Sequence, residues 1–177
     1  MSERTRGPVH SAAHDVAHDP AAAQRLAERV ADGMFVNDRA SRGLGMQIAS
    51  VAPGRAEMTM TVREDKLNGH AMCHGGFIFL LADSTFAFAC NSYNRNTVAQ
   101  GCSIDYLAPA HLGDVLHATG VERSRTGRTG VYDIEVRNQH GRIVALFRGK
   151  SYRIDGHVVD EAEHGEARVT DNPHAHD

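Results

Sequence analysis

Asp83 interrupts an otherwise apolar run, Phe77-Ile78-Phe79-Leu80-Leu81-Ala82-Asp83-Ser84-Thr85-Phe86-Ala87-Phe88-Ala89-Cys90. The run reads as a helix that is hydrophobic on every face, and such a helix is normally buried on all sides. Burying an unpaired carboxylate costs on the order of several kcal/mol, so folding gives no reason for it and chemistry does. Desolvation raises the pKa of a buried Asp toward the range of a general base. Such a group could deprotonate a water or attack an acyl carbon itself. Immediately upstream lies Asn68-Gly69-His70-Ala71-Met72-Cys73-His74-Gly75-Gly76. His74-Gly75-Gly76 falls at the expected helix start, where the first four N–H groups have no helical partner and the dipole is positive. Glycine leaves those donors open to a ligand, so the Gly75 and Gly76 amides can hold a carbonyl oxygen that is becoming an oxyanion. Two glycines alone suit a tight turn equally well; their place ahead of a buried carboxylate favours chemistry. Asn68 could hydrogen-bond an attacking water or the carboxylate. His74 could cap the helix, brace the loop or act directly.

Asp83 lies eight residues beyond Gly75, roughly 12 Å along a helix. It cannot readily reach a group docked on its own helix's N-terminus. Two such helices packed antiparallel across a twofold axis would bring Asp83 of one subunit to Gly75 of the other. The spacing therefore predicts composite sites at a homodimer interface.

Arg123, Arg125, Arg128, Arg148 and Lys150 gather on later segments, and the turn Thr126-Gly127-Arg128-Thr129-Gly130 offers backbone donors and a guanidinium to a phosphate. A solvated charged turn is the commoner meaning of such residues. No GxxxxGK[ST] pattern occurs, so nucleotide hydrolysis is not indicated. The three cysteines, Cys73, Cys90 and Cys102, form no CxxC pair, and a disulfide scaffold is not expected. Cys73 beside His74 suggests a thiol nucleophile, but a small packed residue is the better reading. His10, His14 and His18 are spaced four apart among small and polar residues. A solvated tail explains them better than a metal site, and no HExxH spacing occurs.

The elements that must position these groups follow from patterning. With 177 residues the chain suits one domain. A net charge of −3 argues against a nucleic-acid binder, and no apolar run is long enough to span a membrane. Nothing resembling a signal region follows Met1, which predicts a cytoplasmic protein. Residues 1–20 read as a flexible extension, 21–155 as a single domain, and 156–177 as a disordered acidic, His-rich tail. A helix is expected over Ala21–Ala31, a short helical or turn segment over Asn37–Arg42, and a hairpin from Gly45–Val51 and Ala56–Val62. The central helix follows, and then strands over Thr97–Leu107, Asp114–Glu122, Thr129–Arg137 and Arg142–Arg153. The short turns between them favour antiparallel neighbours. The predicted class is α+β: an antiparallel sheet wrapped around one long central helix. A helix apolar all round in so small a domain must also bury surface against a second subunit.

The run Leu67-Asn68-Gly69-His70, Cys73-His74-Gly75-Gly76-Phe77 and Leu81-Ala82-Asp83-Ser84 resembles the signature of PaaI-type hotdog-fold thioesterases of the phenylacetate-catabolism branch. So do Ile104-Asp105-Tyr106-Leu107-Ala108-Pro109, Thr129-Gly130-Val131-Tyr132-Asp133-Ile134 and Ala145-Leu146-Phe147-Arg148-Gly149-Lys150, and the resemblance spans about Met34 to Asp155. It implies a hotdog fold, a homodimer or dimer of dimers, and hydrolysis of acyl-CoA thioesters. It implies Asp83 as base or nucleophile, the Gly75 amide polarising the carbonyl, and Asn68 and His74 in support. Gly76 and Phe77 would line the substrate site, and Arg125, Arg128, Thr129 and Gly130 would receive the phosphates of CoA. Phenylacetyl-CoA or hydroxyphenylacetyl-CoA would be the substrate, its ring among Phe77, Phe79 and Tyr93. No metal is implied, and no cofactor beyond the coenzyme A of the substrate. Some relatives hold the water with a hydroxyl outside the helix; Ala99-Gln100-Gly101-Cys102-Ser103 assigns no equivalent.

Thioester hydrolysis suits this inventory because a thiolate leaves without a strong general acid. No GxSxG element signals a serine triad. The rivals are a hotdog acyl-CoA hydratase or dehydratase, which needs a base at the carbon beside the carbonyl, and a non-catalytic acyl-CoA-binding module.

Overall fold

In the computed structural model, which describes residues 19–160, Asp19 starts the first helix. Its side chain accepts from the Ala21 N–H at 2.9 Å, and Pro20 occupies the first turn. This helix, α1 (Pro20–Asn37), runs past the expected end at Ala31 and is followed by the short α2 (Arg39–Gly43). Gly33 does not stop it. A Cβ there would lie 2.5 Å from a Val159 methyl carbon, so the glycine marks where the C-terminal segment crosses the helix. The histidines at 10, 14 and 18 lie outside the described residues.

Strands β1 (Gln47–Ala52) and β2 (Arg55–Thr61) form the expected hairpin, its tight turn made possible by Gly54 at φ 71°. The central helix α3 (Gly75–Asn91) follows, and then β3 (Thr97–Tyr106), β4 (Val115–Thr126), β5 (Thr129–Arg137) and β6 (Ile143–Arg153). All pairings are antiparallel, in the order β1-β2-β4-β5-β6-β3. The sheet packs its inner face, including Met58, Met60, Leu116, Ala118, Ile134, Val136 and Phe147, against α3. Helix and sheet approach closely at Gly149, where a Cβ would lie 2.7 Å from the Phe86 ring.

Two expectations need correction. The segment after β3 is not a turn between neighbouring strands: β6 and β5 stand between β3 and β4. That connection spans three strand spacings, roughly 14 Å, and is held on the loop before α3, with Cys73 N–H donating to Ala110 at 2.8 Å and a bridge between Met72 and His111. The packed fold also continues beyond residue 155. Asn94 Oδ1 accepts from the Val158 and Val159 N–H groups at 3.1 and 2.9 Å, and its Nδ2 donates to the Val159 carbonyl. No described helix is long and apolar enough to cross a membrane.

Lys66 is the anomaly in the packing. It ends a single 3-10 turn (Glu64–Lys66), its side chain is fully buried, and its Nζ makes no hydrogen bond among the described residues. The nearest carboxylate oxygen, on half-exposed Asp65, is 3.8 Å away. Burial lowers the Lys66 pKa. Because the unfolded chain then binds a proton that the folded chain releases, stability rises with pH across the window between the folded pKa and the ordinary lysine value of roughly 10.4. Replacing a buried ammonium that makes no hydrogen bond and only a long ion pair with exposed Asp65 by an apolar side chain of similar length removes its desolvation cost. We expect Lys66→Met to stabilise the fold by about 1 to 3 kcal/mol near neutral pH and to flatten that slope. Denaturant melts at several pH values check both; a destabilised variant would mean that the ammonium has a partner which Met cannot replace.

Candidate active site

The loop before α3 is built by its own polar groups. Asn68 Oδ1 accepts from the His70 N–H at 2.9 Å and the Met72 N–H at 3.3 Å, and the Asn68 N–H donates to the Met72 carbonyl at 2.8 Å. This small turn, with Ala71 at φ 56°, commits the Asn68 oxygen to the backbone. What it leaves for chemistry is the Nδ2 donor. The His74 N–H donates to the Lys66 carbonyl at 2.8 Å, so the loop closes against the buried lysine's turn.

His74 is the N-cap of α3: its Nδ1 accepts from the Gly76 N–H at 2.9 Å. That bond places the proton of the neutral ring on Nε2. Capping consumes the Gly76 amide, while the Phe77 N–H donates to the His74 carbonyl. The Gly75 N–H has no acceptor among the described residues and is the first-turn donor left for a ligand. Tyr106, at the end of β3, donates its hydroxyl to the Gly75 carbonyl at 2.9 Å and lays its ring against the glycine. No chemical pattern in the sequence links Tyr106 to Gly75; only the β3–α3 packing does.

Asp83 sits two turns along the same helix, half-buried. Its carboxylate makes no hydrogen bond or ion pair with any described residue, and desolvation alone raises its pKa. Gly76, Leu80, Asp83 and Ala87 recur at helical spacing, and all four are less than fully buried. They form a stripe that the protomer's own sheet leaves uncovered. Phe77 and Phe79 flank it, half-buried, with Phe79 edge-on to Phe147 at 5.5 Å between centroids.

The phosphate-binding candidates lie at the other end of α3. Arg125 closes β4 and does not sit in the turn; its guanidinium stacks 3.9 Å over the Tyr93 ring. Tyr93 is thereby engaged about 15 Å along the helix from Asp83, which removes it from the aromatic-ring group of Phe77 and Phe79. Arg128 and Thr129 line a shared pocket with Arg125. Gly130 is buried beneath it, where a Cβ would lie 2.7 Å from Ser151 Oγ. It admits packing and does not face the pocket. A cavity of about 480 Å³ occupies the opposite, outer sheet face around Arg123, Asp133 and Arg148, away from Asp83. Cys73 and Cys90 are buried, and burial pushes their thiols up to about 11 and about 12, so neither is a ready thiolate. Among the described residues no three His, Cys, Asp or Glu side chains cluster as a metal site.

The profile of the thioesterase superfamily matches residues 70–145, from within the loop before α3 through α3, β3, β4 and β5 to the start of β6. The acyl-coenzyme A thioesterase PaaI of Escherichia coli (strain K12) is 51% identical over 132 residues, 75% of this chain and 94% of that protein. This chain belongs to the PaaI-type hotdog-fold acyl-CoA thioesterases. The structure of the E. coli PaaI protein from the phenylacetic acid degradation operon superposes with a TM-score of 0.75 at 49% identity, covering 76% of this chain and 97% of that one. A mutant of the phenylacetic acid degradation protein PaaI from Thermus thermophilus superposes at 0.64 with 39% identity, over 66% of this chain and 100% of that one. Membership in the PaaI-type thioesterases makes the chain a thioester hydrolase acting on acyl-CoA. An unpaired half-buried carboxylate and a free helix-tip amide are groups such hydrolysis can use.

Proposed function

We propose that the enzyme hydrolyses phenylacetyl-CoA or hydroxyphenylacetyl-CoA type thioesters at composite sites in a homodimer or dimer of dimers. The observation that carries this reading is the Gly76–Leu80–Asp83–Ala87 stripe, which among the described residues holds an unpaired carboxylate and lacks a covering element. β3 supports the dimer: it is a ten-residue strand at the sheet edge, open along much of its length, with Val98 and Tyr106 exposed. Unpaired strand edges of that length are normally covered. A twofold through β3 joins two sheets and sets the α3 helices antiparallel, so that Asp83 of one protomer faces Gly75 of the other.

In this arrangement the thioester oxygen accepts from the Gly75 amide of one protomer. Asp83 of the other takes a proton from water as the water oxygen bonds to the acyl carbon, or its carboxylate bonds to that carbon directly. The C–S bond then breaks and the electron pair leaves on the CoA sulfur, which takes up a proton; the water route releases the acid at once, whereas the direct route leaves an acyl–Asp83 anhydride that a water hydrolyses to free the acid and restore the carboxylate. Asn68 Nδ2 supplies a donor for the attacking water or the Asp83 carboxylate, and His74 holds the Gly75–Gly76 backbone through its bond to the Gly76 N–H. Phe77 and Phe79 provide apolar surface for an aryl group.

The test is thiol release from a panel of aryl and alkyl acyl-CoAs, followed beside enoyl absorbance. Arylacetyl-CoAs should give the highest kcat/KM, with free thiol as product. A preference for straight-chain esters would overturn the substrate assignment, and an enoyl product without thiol would overturn hydrolysis.

A further inference from the structure

The peptide unit between Gly75 and Gly76 is held at both of its polar ends by side chains. Its carbonyl oxygen accepts from the Tyr106 hydroxyl at 2.9 Å, and its N–H donates to His74 Nδ1, also at 2.9 Å. His74 is the N-cap of α3, whereas Tyr106 is the last residue of β3 and belongs to another element altogether. Donation to the oxygen and acceptance from the N–H polarise one amide in the same sense, so each bond strengthens the other.

A helix that begins with two glycines does not fix this unit by itself. Glycine has no Cβ to restrict φ and ψ, and ordering it costs more conformational entropy than ordering any other residue. The first turn also lacks the N–H bonds that steady later turns. Left to themselves, the two glycines would let the helix tip sample several directions for the Gly75 N–H. A donor aimed at developing charge is most effective when it needs no reorientation as the reaction proceeds.

The glycines are shaped to the two side chains that hold them. A Cβ at Gly75 would stand 3.1 Å from Tyr106 Cζ and 3.2 Å from its hydroxyl oxygen, and one at Gly76 would stand 3.1 Å from His74 Nδ1. A side chain at either position would press on the group that secures the peptide. Folding alone does not call for the phenol, because a carbonyl in the first turn of a helix already accepts from the N–H four residues on. Tyr106 is 51% exposed, so its hydroxyl has water as an alternative partner and little burial to gain. Desolvation raises its pKa further above the ordinary tyrosine value of about 10, so the hydroxyl is a donor at neutral pH.

We propose that Tyr106 is a positioning residue for thioester hydrolysis: together with His74 it locks the Gly75–Gly76 peptide, so that the Gly75 N–H stays aimed at the thioester oxygen. This rests on the reading of the Gly75 amide as the oxyanion donor and extends it to a residue outside the helix. Tyr106 acts in this role through the backbone and transfers no proton.

The experiment uses the full chain and one arylacetyl-CoA, with Tyr106→Phe as the probe, since it keeps the ring and removes one hydroxyl. Losing the net worth of a single hydrogen bond should lower kcat about threefold to tenfold and leave KM nearly unchanged. The second readout is the infrared stretch of a ¹³C-labelled thioester carbonyl bound to Asp83→Asn enzyme. It should lie below that of the free ester, and adding Tyr106→Phe should move it part of the way back. Wild-type kcat in Tyr106→Phe would overturn the proposal. So would a lower kcat with an unmoved carbonyl band, which would make the hydroxyl merely structural. Gly75→Pro separates this from the reading beneath it: if that variant keeps both wild-type kcat and the shifted band, the Gly75 amide is not the donor and the proposal falls with it.

Discussion

Asp83→Asn is expected to lower kcat on an acyl-CoA ester by about 10² or more while leaving KM nearly unchanged. The amide matches the carboxylate in shape but cannot accept a proton from water or serve as an effective nucleophile. The same substitution should raise stability. Desolvation holds the Asp83 pKa above the ordinary carboxylate value, so the folded state binds the proton more tightly than the unfolded chain does. The charged form therefore destabilises the fold, and this cost appears as pH rises from the unfolded value near ~3.9 through the folded one. Asn carries no such charge, and a gain of about 1 kcal/mol at neutral pH fits the usual opposition of stability and activity at a functional site. The gain should vanish in acid, where Asp83 is protonated in both states. Thermal melts across pH, beside a kcat profile whose acidic limb moves with Asp83, check the pair of effects. A variant that keeps wild-type turnover would remove Asp83 from the chemistry.

The sequence exposes some of these features and hides others for physical reasons. Asp83 is legible because a charge inside a continuous apolar run contradicts the run, and no arrangement of a monomer's own sheet removes the contradiction. Gly75 and His74 are legible as a helix start because Gly-Gly cannot continue the loop's pattern and the apolar run begins at once. Strand periodicity tells which side chains share a face and says nothing of which strands are neighbours. That is why β3 at the sheet edge, with β6 and β5 between it and β4, differs from the order the short connections suggest. Lys66 sits in the charged stretch Arg63-Glu64-Asp65-Lys66, where nothing distinguishes a buried lysine from a solvated one. The pocket that Arg125 and Arg128 share is hidden for a similar reason. Arg95 and Arg153, which also line it, are far apart in sequence and meet Arg125 at the end of β4 and Arg128 in the turn only through β3–β6 and β5–β6 register. The end of that hairpin alone shows half of the charge.

Gly75→Pro should abolish most activity while keeping the helix, and it tests the other half of the site. Gly75 is the first residue of α3, the position at which proline is best tolerated because its missing N–H is unused by the helix. His74 already has ψ 133°, the extended geometry that a following proline requires. The substitution therefore deletes one donor with little backbone rearrangement. Its Cβ comes within 3.1 Å of the Tyr106 ring, so Gly75→Ala, which makes the same approach but keeps the N–H, is the matched control. Tyr106 lies on the β3 edge and bonds the Gly75 carbonyl, so the Ala variant measures whatever displacing its ring costs. Loss of an oxyanion donor costs about 10²- to 10³-fold in kcat, and we expect that loss for Pro and only a small one for Ala. Equal losses would assign the effect to Tyr106 displacement and not to the amide. Combining the variants then tests the composite site. If Asp83 of one protomer serves Gly75 of its partner, a mixed dimer of Asp83→Asn and Gly75→Pro protomers pairs both lesions in one site and leaves the other site whole. Random mixing makes half of the dimers mixed, so about a quarter of wild-type activity should return from two nearly inactive parents. If both groups act within one protomer, every site in the mixture carries a lesion and no activity returns.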